Sequence, residues 1–223
     1  MSTNSSTNNF VAPSESKKWK TAGALALTLG VLSGMYVVAL EVELFSLQGV
    51  SFVLAAVASF LFALALVASS VSYYIGWPNM RWGYQKQIGV LAFWLASLYC
   101  VTLVVLYPEL YGYGLIDNLL TADVLLGGVA MVIFASMVGI NSKFIAPYFS
   151  WDTIKFVLGL GYVGYALLVI RAILLEWSLW ESWLVTFEGY PPGRMVLSVV
   201  ALIVLLLRIS IPIHMALTGG HKK

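Results

Sequence analysis

Six long apolar runs decide what this 223-residue chain can become. They lie at about residues 21–40, 51–75, 88–107, 122–141, 154–175 and 194–216. Each reaches the roughly 20 residues that a helix needs to cross a ~30 Å hydrocarbon layer. In lipid the backbone must satisfy its own hydrogen bonds, so every run is expected to be helical. The expected fold class is all-α, a six-helix transmembrane bundle spanning residues 21–216. A polar and basic tail, 1–20, expected to be disordered, precedes it, and a short basic tail, 217–223, follows. A soluble reading fails on composition. The chain is 61% hydrophobic and only 10% charged, whereas soluble domains carry about a quarter charged residues.

Charge alternates from one connection to the next. Lys17, Lys18 and Lys20 precede the first span, Arg81 and Lys86 separate the second and third, Lys143 and Lys155 flank the fourth connection, and Lys222 and Lys223 end the sequence. The other connections carry Glu41 and Glu43, then Glu109 and Asp117, then Glu176, Glu181 and Glu188, with Arg194 their only basic residue near a span end. The positive-inside rule then places both termini of a multi-pass integral membrane protein in the cytoplasm. The basic residues are scattered singly, so no nucleic-acid partner is expected. Cys100 is the only cysteine and rules out an intramolecular disulfide.

Tryptophan marks the same boundaries. Trp19, Trp77, Trp82, Trp151, Trp177, Trp180 and Trp183 fall at span ends, where an amphipathic ring is most stable, and Trp94 alone is mid-span. In EWSLWESWLVTFEGYPPG (176–193), Trp177, Trp180, Leu184 and Phe187 recur at helical spacing, with Glu181 and Glu188 rotated away. This predicts a short helix on the outer membrane surface, stopped by Gly189 and Pro191-Pro192. Gly30-x-x-x-Gly34 and Gly127-Gly128 are candidate points of close helix approach.

Several short motifs occur in a telling order. Lys86-Gln87-Ile88-Gly89 opens the third span, Leu160-Gly161-Tyr162-Val163 lies in the fifth, and an acidic aromatic loop ends in Tyr190-Pro191-Pro192 before the sixth. Over roughly residues 80–210 the sequence resembles the ferric-reductase-like transmembrane domain, most closely that of the STEAP metalloreductases. The resemblance implies a b-type haem clasped between histidines of the third and fifth helices, passing electrons across the membrane. Carried over residue by residue, those positions are Tyr99 and Arg171. The histidines of this chain, His214 and His221, match neither position. No glycine-rich phosphate loop or flavin-reducing domain is expected here, so the usual electron source is missing from the reading.

Arg171 is the sharpest anomaly, a permanent cation in LGYVGYALLVIRAIL (160–174). Burying it in lipid costs about 2.5 kcal/mol or more. Two arrangements are expected to compete. In one, the guanidinium fills the former haem slot, held by Tyr99 and by Asp123 or Glu109; in the other, it snorkels to the outer headgroups. Arg208 is expected to snorkel inward, or to meet a lipid headgroup or partner, with Pro212 able to bend its helix. Cys100, Met131, Tyr162 and Tyr165 are read as packing residues, and His214 as interfacial.

These features point to a haem-less accessory or scaffold subunit of a larger membrane redox complex, in contact with lipid and other membrane subunits. No catalytic residue, metal or cofactor is expected; a lipid or other apolar ligand between helices is compatible with the sequence. The alternatives are a b-type haem protein with non-histidine ligation through Tyr99, and a small transporter.

Overall fold

The computed structural model describes residues 14–40, 43–75 and 84–217. The polar stretch 1–13, Glu41, Trp77, Arg81, Trp82 and the basic end 218–223 lie outside the described residues. The described chain forms helices α1 (Glu15–Ala39), α2 (Leu47–Ile75), α3 (Gln85–Leu106), α4 (Pro108–Tyr111), α5 (Ala122–Ile140), α6 (Trp151–Thr186) and α7 (Gly193–Leu217), with a 3-10 turn at Ala146–Tyr148. All but the four-residue α4 are long and apolar enough to cross a membrane, which makes six candidate spans. The multi-pass helical reading of the sequence therefore agrees with the structure.

Boundaries differ where polar residues take part in the helix. Ser14 caps α1, its Oγ accepting the Lys17 N–H at 3.4 Å, and Glu15 occupies the first turn. Such a cap satisfies a donor that the first turn cannot. Lys17, Lys18 and Lys20 thus ride on a helix and not on a tail. On the same face of the bundle, Glu15 pairs with Lys143 at 3.8 Å and the Lys86 ammonium donates to the Asn141 carbonyl. These contacts gather the start of α1, the start of α3 and the end of α5 at one end, here called the terminus face. At the opposite end, the Tyr36 hydroxyl donates to the Pro191 carbonyl and its ring meets Tyr190 edge-on.

The central helix is α2. Within its most apolar window 44% of residues are buried, against 22–28% in the other five spans. It packs on α1, α3 and α7. It reaches α5 through the stacked rings of Phe62 and Phe134, whose centroids are 4.1 Å apart. Its link to α6 is polar: the Tyr165 hydroxyl donates to the Ser59 carbonyl at 2.9 Å, and the Tyr162 hydroxyl to the Leu66 carbonyl at 2.8 Å. Both tyrosines do more than pack. Each uses its phenol to tie two spans together where water is absent.

Lipid tails are as apolar as leucine, so helices in a membrane gain by approaching closely, and small residues permit that. Ala22, Ala92, Ala130 and Ala201 are at most 2% exposed. Two glycines on α6 let α5 approach closely. A Cβ at Gly161 would stand 2.6 Å from Met137 Cε, and one at Gly164 would stand 3.2 Å from the Phe134 ring. The glycines singled out in the sequence behave differently. Gly30 approaches only Val57, at 4.0 Å, Gly34 meets Leu44, Gly127 faces a side chain, and Gly128 faces open space.

The surface segment after the fifth span is helical, as its spacing implied, but it continues α6 through a break at Glu176 (φ −127°, ψ 16°). It ends at Thr186, with Phe187 in the left-handed region at φ 50°. Trp177, Leu184 and Phe187 are exposed, whereas Trp180 is buried. All four follow the break on one continuous stretch, and Trp180 alone among them is buried, its indole Nε1 3.5 Å from Glu176 Oε2. Helix α7 runs unbroken through Pro212.

Gly164 supplies a direct test of this packing. Gly164→Ala is expected to destabilise the purified protein by about 1–3 kcal/mol, because the Phe134 ring is already stacked and has nowhere to move. Gly159→Ala, where nothing lies within 4 Å, should leave the thermal midpoint unchanged or raise it.

Candidate functional site

Arg171 lies about 24 Å of helix rise beyond Lys155, toward the end opposite the terminus face. Its Nε is 2.5 Å from Asp123 Oδ1, an ion-pair contact and not a well-aligned hydrogen bond. The same Nε–H donates to the Asp123 backbone carbonyl at 3.2 Å. Nη2 donates to the Tyr111 hydroxyl at 3.1 Å, and that hydroxyl in turn donates to Asp123 Oδ2. Three side chains thus close a ring. The Arg171 and Asp123 side chains are only 13% and 12% exposed, so little water screens the pair.

Local sequence explains how the ring forms. Asp123 sits in the first turn of α5, where unpaired backbone N–H groups favour a carboxylate. Gly127 follows one turn later. A Cβ there would stand 3.3 Å from Arg171 Nε, so the bare backbone makes room for the guanidinium. Tyr111 ends α4, which Pro108 begins. The chain then folds back so tightly that a Cβ at Gly114 would stand 1.8 Å from the Glu109 carbonyl oxygen. Only glycine fits. Burial first, and then its bond to Asp123, push the Tyr111 phenol up to about 12, so it stays a neutral donor.

Beside this ring lies a cavity of about 540 Å³ among α2, α3, α5, α6 and α7. Tyr99, Cys100, Tyr111, Asp123, Arg171 and Arg194 form its polar wall, and the rest is mostly apolar. Arg194 Nη1 pairs with Glu176 Oε1 at 3.0 Å, while Trp180 Nε1 lies 3.5 Å from Glu176 Oε2. Glu176 thus has both oxygens engaged, whereas Asp123 Oδ1 meets Arg171 only as an ion pair and accepts no hydrogen bond among the described residues. Each guanidinium has five N–H donors, more than these contacts use. The Tyr99 hydroxyl has no hydrogen-bond partner among the described residues. The wall offers spare donors and no spare carboxylate.

The structure thus decides between the arrangements posed for Arg171. Its head lies in the bundle against Asp123, with both side chains nearly covered, and is not extended along the helix as snorkelling would require. Tyr99 faces the same cavity, but Tyr111 makes the hydrogen bond. Glu109 is exposed and takes no part in the ring; its backbone carbonyl accepts from Asn118 at 3.3 Å. Cys100 and Met131 both line the cavity. Trp177 and Trp183 lie on the extension of α6, with the Trp183 ring against Phe187. Arg208 belongs elsewhere. Its guanidinium carbon stands 5.1 Å over the Tyr162 ring, toward the terminus face. His214 is also there, against Tyr73 and Tyr74.

Tyr111 escaped the sequence reading. The only available signal was its place in the aromatic stretch Tyr107–Tyr113, just before the turn glycines Gly112 and Gly114.

The donors at the positions that resemble haem ligands do not suit iron. A guanidinium has no free lone pair, and Arg171 is already committed to Asp123 and Tyr111. Tyrosinate is a known axial ligand, but Tyr99 faces a cation across the cavity, not a second donor. Among the described residues, no group of three or more His, Cys, Asp or Glu side chains could hold a metal ion. No protein-family model matches the chain, and comparison with curated proteins finds no match.

Removing either partner of the ring strands the other charge in the bundle. Arg171→Met or Asp123→Leu alone is expected to lower stability by about 3–5 kcal/mol, and the double variant should recover most of the loss. Tyr111→Phe should cost about 1–3 kcal/mol, since it leaves the neighbouring groups one partner short. Unfolding of detergent-purified variants, assembled as a double-mutant cycle, measures the coupling.

Proposed function

We propose that this protein is a haem-less relative of the ferric-reductase-like bundles, with both termini cytoplasmic, serving as an accessory subunit of a larger membrane redox complex. The observation that carries the reading is the ring of Arg171, Asp123 and Tyr111. It stands at the position where the resembled fold would present a haem ligand, and it uses that position for structure. A neutral buried ring of this kind rigidifies a bundle and conducts no electron.

A partner is supported by α3. Trp94, Leu98, Val101 and Val105 recur along one face and are 51–64% exposed. Lipid alone would suit the aliphatic residues. Trp94 differs, because it lies mid-span, and its indole N–H has no hydrogen-bond acceptor among the described residues. Such a donor is poorly served by hydrocarbon, whereas a neighbouring helix can present a polar group to it.

The cavity favours a second role within the same reading. Its spare donors and apolar walls suit a lipophilic molecule with a carbonyl or carboxylate oxygen at one end, and its volume lies within the range of small-molecule sites. Bound there, such a molecule would complete the hydrogen bonding of Tyr99 and Arg194 without disturbing the ring.

Two measurements test the proposal. The reduced-minus-oxidised visible spectrum of the purified protein should show no stoichiometric b-type signal; a haem band would end the haem-less reading. Purification in mild detergent should retain a membrane partner, and Trp94→Leu should weaken its retention while the unfolding free energy of the isolated chain stays within about 0.5 kcal/mol of wild type. Retention that ignores Trp94 would remove the role given to α3.

A further inference from the structure

The intramembrane arginines are treated very differently by the same fold. Arg171 is neutralised inside the bundle, whereas Arg208 has no acidic partner among the described residues. Among the described acidic residues, only Glu15 and Asp152 belong to the terminus face, and they pair with Lys143 at 3.8 Å and Lys155 at 3.5 Å. The sequence stretches 1–13, 76–83 and 218–223 contain no Asp or Glu. Among the described residues, no side-chain carboxylate of this face is left unpaired to answer Arg208.

Arg208 is exposed at the bundle surface, open to the cleft beside it, but its head is held by an aromatic ring. Its guanidinium lies over the Tyr162 ring at 5.1 Å, a cation–π arrangement that gains strength where water is scarce. That ring is itself fixed, since its hydroxyl contacts Ser69 Oγ at 2.7 Å and the Leu66 carbonyl at 2.8 Å. Arg208 lies nine residues before Leu217, or about 13.5 Å of helix rise, so it sits well below the helix end. A cation at such depth needs an anion brought to it.

The room for one exists. A cleft of about 550 Å³ surrounds Arg208, with Ser69, Tyr73 and Gln85 supplying polar groups and Ile209, Pro212 and others an apolar side. We propose that this cleft binds the phosphate of an anionic phospholipid drawn from the leaflet at the terminus face. The phosphate meets Arg208 and the polar side chains, and the acyl chains lie along the apolar wall of α7. A net negative headgroup is favoured over a zwitterionic one, because the cation has no counter-charge of its own. The site is separate from the Arg171 ring and its cavity, and stands whether or not the accessory-subunit reading does.

The test uses the full-length protein in nanodiscs of phosphatidylcholine, with or without added phosphatidylglycerol. Native mass spectrometry after release, and the thermal midpoint in the discs, provide the readouts. Wild type should retain phosphatidylglycerol in preference to phosphatidylcholine and gain thermal stability when it is present. Arg208→Gln should weaken that preference by about tenfold or more, as expected for loss of a charge-assisted contact, and Tyr73→Phe should weaken it less. Equal retention of both lipids by wild type would overturn the proposal, and so would undiminished selectivity in Arg208→Gln. If Arg208→Gln fails to fold, the wild-type preference and its change in Tyr73→Phe still decide. Inorganic phosphate added to phosphatidylcholine discs should give no stabilisation; an equal shift from it would reassign the site to a soluble anion and sink the lipid assignment. A co-purified protein that is lost from Arg208→Gln while lipid selectivity persists would also overturn it.

Discussion

A permanent cation in a membrane bundle must find its counter-charge within reach, and the half of this structure opposite the terminus face is arranged around that demand. Arg171 cannot lose its proton, so Asp123 has to stand opposite it on α5, and α4 has to fold back to deliver Tyr111. The demand propagates into backbone choices. Gly127 must be bare to admit the guanidinium, and Gly114 must be glycine to allow the tight return of the chain. One buried charge thus constrains a neighbouring helix, a loop and the turn between them.

The middle of the bundle answers the same scarcity of water with phenols. Tyr165 and Tyr162 reach from α6 to carbonyls of α2 that α2 already uses in its own helix. Carbonyl oxygens have two lone pairs, so the second bond is available without breaking the first. These links, the Phe62–Phe134 stack and the glycines of α6 hold three helices at close range. Packing of this kind is specific because each contact is either made well or leaves a polar group stranded.

How far the sequence could be read follows from the range of each signal. Span number was legible because hydrocarbon thickness is a length that residues alone can match, and the six apolar runs match it. The inward pointing of Arg171 toward Asp123 was legible as one of two options, since cost and depth could both be reckoned. Choosing between Asp123 and Glu109 was not, because it depends on α4 turning the Glu109 side chain outward while Tyr111 faces in. The burial of Trp180 was not legible either, because helical spacing says which residues share a face and not which of them the bundle covers. The tyrosine bonds to α2 left no trace, because an acceptor carbonyl is the same in every residue.

The contrast between the arginines carries the functional argument one step further. An ion pair that is complete within the chain, as at Arg171, needs nothing from outside and is suited to holding shape. A cation left without an acid, as at Arg208, is stable in place only if its surroundings provide the anion. The fold spends an aspartate, a tyrosine and two glycines on the first and an aromatic platform with an open cleft on the second. The first arrangement is closed within the chain, and the second leaves a cation beside an open cleft at the terminus face.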